Sequence, residues 1–571
     1  MIALLFSCIL SSFIFIVFGI FISKILKFPT DFTGTIFIGL AVSNTITTIL
    51  SLFFPINIYI LLVFLLCSTC LLFFIKKEIT TFIRSLKNKK NIILYSLPFV
   101  LLAFIISLGA SQYYDTGLYQ IQSVKWIEKY AVVPGLANLH GRFGFNNNIF
   151  TIFALTSLFD LFKQEIFSIN FILFSVFVIY FINRLYVILK NHGITNLFIF
   201  NLIVFVTILN LSYFHNLLSS PSPEFISITF PMFILTRVFN PIHQGKGSLQ
   251  SYISVFILCA YSLTVKLATL PVFILAICII IVHYSEIRKL LWICLLLSVI
   301  ILPWVVRNII LTGWIVYPFS SLDLFTFDWK VPILNVISEK ESITGWARIP
   351  GEQYVAAAHM NIFEWFTTWW HSIHKITYKI LFLTSLFLPL VAFIGHLIKK
   401  IKLDFQTFAI IFTAFIGVLF WFMLAPNFRF GKAFIIIASL SPLLYFRFKI
   451  KLYRKTDPIF ILSILLFILF IDIAKNNRSI IKKVVSDTSN NIMKPQIFIG
   501  KQEFITYNIS GIKIYVPTKD DRCFDHCIPC TPYPDTTIIL RNYSLQSGFK
   551  HKENINSQIH PIIRTWGKGN F

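Results

Sequence analysis

Acidic residues are scarce in this chain: 24 Asp and Glu stand against 49 Lys and Arg in 571 residues, and charged residues make up only 13%. A soluble protein of this length carries far more charge and shows amphipathic periodicity, so a soluble globular class is excluded. Despite a net charge of +25, no stripe of interleaved basic and aromatic residues suggests a nucleic-acid groove. No D-x-D or metal-ligand cluster occurs in the first long polar loop, so neither a metal nor another cofactor is expected. The N-terminus lacks a positive n-region and a small-residue cleavage site, and its first charge, Lys24, follows the apolar run. An uncleaved first span is therefore expected instead of a signal peptide. No internal repeat of the kind that marks many secondary transporters is visible.

What the chain does have is apolar sequence: 57% of residues are hydrophobic, 64 of them Phe. The apolar runs are about 16 to 24 residues long, close to the length a helix needs to cross a bilayer. The fold class read from this is an all-α polytopic membrane protein of about fourteen spans. The expected spans are 2–23, 32–53, 57–75, 92–110, 166–186, 196–213, 224–239, 250–264, 269–284, 290–310, 377–398, 404–424, 432–446 and 457–475. Segments 250–264 and 269–284 also read as one helix broken near Lys266 and Pro271, and 147–162 as a surface-lying or re-entrant stretch. Basic residues gather in short loops, such as Lys76 to Lys90, Lys399 to Lys402 and Arg447 to Lys455. Such residues mark the cytoplasmic side and attract anionic lipid headgroups. With the N-terminus outside, these loops fall inside, and the polar loops 111–148 and 311–376 fall outside. The multi-span domain is then 1–475, in the cytoplasmic membrane. The tail 476–571 reads as a small extracytoplasmic β-rich module.

Candidate chemistry lies at the outer face. Asp115 follows an apolar run ending at Ala110 and is flanked by Tyr113, Tyr114 and Tyr119. A carboxylate there suits a general base on a hydroxyl; it equally suits a helix cap before Thr116-Gly117. His140 and Arg142, later in the same loop, are candidate phosphate contacts. Glu224 opens a span and reads either as a second active-site carboxylate or as a helix-terminal acid. Lys266 lies between apolar runs, where an ammonium needs a partner, a function or a route to the interface. Arg429 sits in the turn Ala425-Pro-Asn-Phe-Arg-Phe-Gly431. Two such cations suit a lipid-carried phosphate. Trp365, Trp369 and Trp370 suit sugar stacking, but a surface helix anchored by tryptophans is the preferred reading.

The stretch Trp304-Val-Val-Arg307-Asn308, with Thr312-Gly313 and Tyr317-Pro318, resembles one in bacterial members of the GT-C glycosyltransferase superfamily. The early aspartate loop and the Arg429 turn fit the same pattern, although Gly313-Trp314-Ile315 replaces the usual Gly-Asn-Pro. The chain also resembles an uncharacterised bacterial multi-pass membrane family associated with polysaccharide gene clusters. That likeness runs through Tyr114-Asp-Thr-Gly-Leu-Tyr119, Val133 to Arg142, Phe327 to Pro332, Cys527 to Tyr533 and Ser547 to Phe549.

The superfamily resemblance implies an inverting transferase that takes a sugar from a polyprenyl-phosphate donor to a glycan or lipid hydroxyl acceptor, in cell-envelope biosynthesis. Asp115 would be the base, Lys266 and Arg429 would hold the phosphate, and Arg307 is a third candidate cation. A flippase or other transporter for lipid-linked glycans, and a polysaccharide polymerase, are the rival classes.

Six cysteines lie in apolar spans, whereas Cys523, Cys527 and Cys530 cluster in the tail. One disulfide with a spare thiol is favoured there over zinc bound with His526.

Overall fold

A computed structural model describes residues 1–87, 89–111, 113–210, 217–239, 248–351, 353–446, 449–450, 458–486, 493 and 502–552. Lys246, most of the basic stretch Arg447 to Lys455, and the tail beyond Lys552 lie outside the described residues. The rest is overwhelmingly helical.

The helices are α1 (Ile2–Ile25), α2 (Phe32–Ser51), α3 (Ile58–Phe74), α4 (Lys76–Lys87), α5 (Lys90–Ser107) and α6 (Ile121–Lys129). Next come α7 (Ile149–Thr156), α8 (Ile169–His192), α9 (Asn196–Leu209), α10 (Glu224–Val238), α11 (Ile253–Val265), α12 (Val272–Val282) and α13 (Ile287–Thr312). The later elements are α14 (Ile333–Arg348), α15 (Tyr354–His359), α16 (Ile362–Ser372), α17 (Ile376–Leu397), α18 (Phe405–Leu424), α19 (Phe428–Ser439), α20 (Pro458–Asn476) and α21 (Arg478–Ser486).

Among the described residues, eight helices are long and apolar enough to cross a membrane. The number rises to ten if the bent pairs α3–α4 (93°) and α20–α21 (68°) each count as one span. The expected spans at 196–213, 224–239, 250–264 and 269–284 are instead helices of 14, 15, 13 and 11 residues. At 1.5 Å per residue these reach roughly 16–23 Å, short of a ~30 Å hydrocarbon core. Between these segments α11 stops at Val265 and α12 starts at Val272.

Small and polar residues set the packing where helices cross. A Cβ on Gly39 would meet the Phe15 carbonyl oxygen at 1.7 Å, and one on Gly19 the Thr35 oxygen at 2.0 Å. Glycine therefore lets α1 and α2 touch backbone to backbone. A buried polar network ties α2, α7 and α11 together. Asn44 Nδ2 donates to the Asn148 carbonyl (3.0 Å) and Thr151 Oγ1 (2.7 Å), and Tyr261 donates to Asn44 Oδ1 (2.9 Å). Asn148 N–H donates to the Thr264 carbonyl at 3.0 Å, which fixes the end of α11 two residues before Lys266.

The tail adds a hairpin of β1 (Phe504–Ile509) and β2 (Ile512–Pro517), then a short pair, β3 (Ile538–Leu540) and β4 (Phe549–His551). The strands begin later than the expected module boundary, because α20 and α21 carry helix to Ser486. Cys523 and Cys530 form a disulfide and Cys527 is an exposed thiol, so the disulfide reading of the tail holds.

Candidate functional site

Five separate parts of the chain converge on one cavity of about 470 Å³. Asp115 enters from the polar loop 111–148, at the head of a π-helical turn, Thr116–Gln120. Such turns recur at functional sites. Asp115 holds the cap position but makes no capping bond. Its carboxylate instead lies between two guanidinium groups, 3.7 Å from Arg142 and 3.6 Å from Arg429. Local geometry thus sets aside the helix-cap reading.

Glu224 opens α10, and its carboxylate pairs with the Lys266 ammonium. Lys266 lies in the break between α11 and α12, in extended backbone. That break carries the side chain from the end of one helix toward Glu224 and the Phe430 ring, whose centre is 4.4 Å from the ammonium. The Arg429 guanidinium lies 4.7 Å from the same ring. Cation–π contact supports both charges in a partly desolvated place.

The Arg429 turn is held by indole N–H groups. Trp369 donates to the Pro426 carbonyl (2.8 Å) and Trp421 to the Asn427 carbonyl (2.7 Å), while the Asn427 side chain caps α19. A Cβ on Gly431 would lie 2.4 Å from the Trp421 ring, so the glycine is needed for that indole to reach. Trp365 and Trp369 are buried in this packing, and so do not offer faces for sugar stacking.

The charges form an alternating chain through the cavity wall. Glu339 on α14 lies 3.7 Å from Arg142; Arg142 and Arg429 flank Asp115; Arg429 donates to the Tyr113 hydroxyl at 3.0 Å. Tyr113 in turn donates to Glu224 at 3.4 Å, and Glu224 meets Lys266. Burial disfavours the Arg142 cation, but Glu339 and Asp115 outweigh it and hold the guanidinium more firmly charged than usual. Lys340 adds a further cation at the rim. Much of the remaining lining is apolar: Phe420, Trp421, Leu424, Ile343, Ala347 and Pro350. The cavity therefore combines balanced charges with apolar surface.

Of the residues expected at the site, Asp115, Glu224, Lys266, Arg429, Arg142 and Tyr114 line this cavity. Arg307 does not: it lines a separate cavity of only about 20 Å³ and donates to Ser51 Oγ at 2.8 Å. The helical phase of α13 turns it toward α2. Its neighbours serve the loop structure instead, with Trp304 bonded to the Asn146 carbonyl and Asn308 to the Ile315 carbonyl. His140 is buried between the Phe143 and Tyr533 rings and is not part of the cavity lining. The sequence reading passed over Tyr113 and Glu339 as site residues. In the sequence Tyr113 is one of three tyrosines flanking Asp115, and nothing local links Glu339 to Arg142 across the chain.

A family model described as a domain of unknown function (DUF8201) matches residues 1–436, which hold every one of these cavity residues. Comparison with curated proteins and with solved structures gives no match. The chain belongs to the DUF8201 family.

Proposed function

We propose that the chain is a membrane glycosyltransferase of the GT-C kind, threaded through the cytoplasmic membrane by about fourteen crossings, four of them short and protein-enclosed. It moves a sugar from a polyprenyl-phosphate carrier to a hydroxyl acceptor at the outer face. The observation that carries this reading is the juxtaposition of the Asp115 carboxylate with Lys266, Arg142 and Arg429 on one cavity whose remaining lining is largely apolar. A sugar phosphate with a long hydrocarbon tail has that same division of chemistry.

In this mechanism Asp115 accepts the proton of the acceptor hydroxyl. The hydroxyl oxygen bonds to the anomeric carbon as the bond from that carbon to the phosphate oxygen breaks, with inversion. Lys266 and Arg429 compensate the negative charge left on the phosphate. The cations are matched by Asp115, Glu224 and Glu339, so the donor phosphate competes with Glu224 for Lys266. The Cys523–Cys530 disulfide belongs to the tail that lies against the Asp115 loop, which supports an oxidising, extracytoplasmic location for the cavity.

The rival reading, transport of a lipid-linked glycan, is favoured by one feature: an ion pair at a broken helix inside the membrane region. Purified protein in vesicles, given a polyprenyl-phosphate sugar and a panel of hydroxyl acceptors, separates the two. Transfer yields a new glycosidic bond of inverted configuration. Movement of intact donor across the vesicle with no bond formed would sink the transferase reading, and lengthening of a repeat-unit chain would point to a polymerase.

A further inference from the structure

We propose that the disulfide-closed loop Cys523–Cys530 is a positioning element of the cavity, clamping the Asp115 segment from behind so that its carboxylate stays between Arg142 and Arg429. The consequence for catalysis rests on the transferase reading; the clamp itself does not. The loop lies outside the family match, yet it meets the first outer loop at residue after residue. Phe524 N–H donates to the Gly117 carbonyl at 2.8 Å. Gln122 Nε2 donates to the carbonyls of Phe524 and His526, both at 2.9 Å. Lys125 donates to the Asp525 carbonyl at 2.9 Å and pairs with its carboxylate. Just outside the loop, Asp521 accepts from the Tyr114 hydroxyl, and Arg522 lies over the Tyr114 and Phe524 rings at 5.3 and 4.8 Å.

The fit is closest two residues from Asp115. A Cβ on Gly117 would stand 2.6 Å from the Phe524 ring. The loop can press there because its own shape is limited. Its ends are joined by the disulfide, and it is stitched to β2 through Tyr515 N–H to the Pro529 carbonyl (3.0 Å) and Thr531 N–H to the Tyr515 carbonyl (3.1 Å). Closing a short loop covalently removes conformations in which Phe524 would swing away. The same π turn is also held by the Thr116 and Ser220 hydroxyls, 2.6 Å apart. The turn carrying Asp115 is thus held at more than one point, and the tail supplies the contacts at Gly117 and Tyr114.

Hydrogen exchange on the full chain in nanodiscs tests the clamp, in a Cys527→Ser background that removes the spare thiol. Reduction of the disulfide, verified by alkylation and mass, is expected to speed exchange of amides in 113–125 about tenfold, with α8 unchanged. Gly117→Ala, which leaves the disulfide intact, is expected to do the same by forcing its methyl into Phe524. Adding Phe524→Val to Gly117→Ala removes the colliding ring and is expected to recover part of the protection. Donor transfer should follow the exchange, with kcat lowered and KM held. Unchanged exchange after confirmed reduction and in Gly117→Ala would overturn the proposal, as would equal opening of α8, which makes the disulfide a staple for the whole fold. If exchange behaves as expected and no transfer is found with the native protein, the clamp stands and the transferase reading falls.

Discussion

Replacing Asp115 by Asn keeps size and shape and removes one charge from between two guanidinium groups at 3.7 and 3.6 Å. Neither arginine is stranded by the change. Arg142 keeps Glu339 and Arg429 keeps the Tyr113 hydroxyl, so the structural cost is that of two weakened ion contacts, well short of the roughly 3–5 kcal/mol of a stranded buried charge. The catalytic cost is larger. A positioned general base contributes about 10²–10⁴ in rate, equal to roughly 3–5.5 kcal/mol of barrier. Asp115→Asn is therefore expected to reach normal membrane levels, to unfold a little earlier on heating, and to lose transfer by two to four orders of magnitude in kcat. The assay is initial-rate transfer of labelled sugar from a polyprenyl-phosphate donor in proteoliposomes at matched protein levels. Activity within tenfold of the parent would refute Asp115 as the base. A loss confined to KM would make it a binding group instead. Arg307→Lys is a useful reference, because Arg307 lies on a different cavity and should leave kcat nearly unchanged.

Two further outcomes follow from the ion pairs. Lys266→Met strands the buried Glu224 carboxylate and should cost about 3–5 kcal/mol, visible as a lowered melting temperature in detergent. The double variant with Glu224→Gln should recover most of that loss, and no recovery would show that the pair is not coupled. Glu165 lies near the clamp with Lys125 and Asp525; burial first, and then the Asp525 charge, push its carboxyl up from 4.5 to about 9, against the pull of Lys125. Between those values the folded chain holds a proton that the unfolded chain has released, so stability falls as pH rises through the window and levels off above it. Melting temperatures from pH 5 to 9 should slope downward for the parent and less steeply in Glu165→Gln, where the Glu128 carboxyl, also pushed up by burial, still titrates in that window; parallel slopes would rule the residue out.

Composition and run length alone determined the broad class. Residues that must sit in hydrocarbon have to be apolar for about 20 positions, and that constraint is written locally. Asp115, Lys266 and Arg429 were visible for the same reason, since charge beside an apolar run is costly and stands out. The three tail cysteines were legible as a disulfide candidate from spacing. Span count was less so, because α9 to α12 are apolar enough to look like crossings while their lengths depend on neighbours that enclose them. Only the tertiary structure decided which charges meet. Helical phase sends Arg307 to α2 and not to the cavity. Packing of α14 against the polar loop 111–148 brings Glu339 to Arg142, and the tail folds back to lay Phe524 on Gly117. Those meetings join residues far apart in the chain, and no local pattern records a partner that arrives only when the helices assemble.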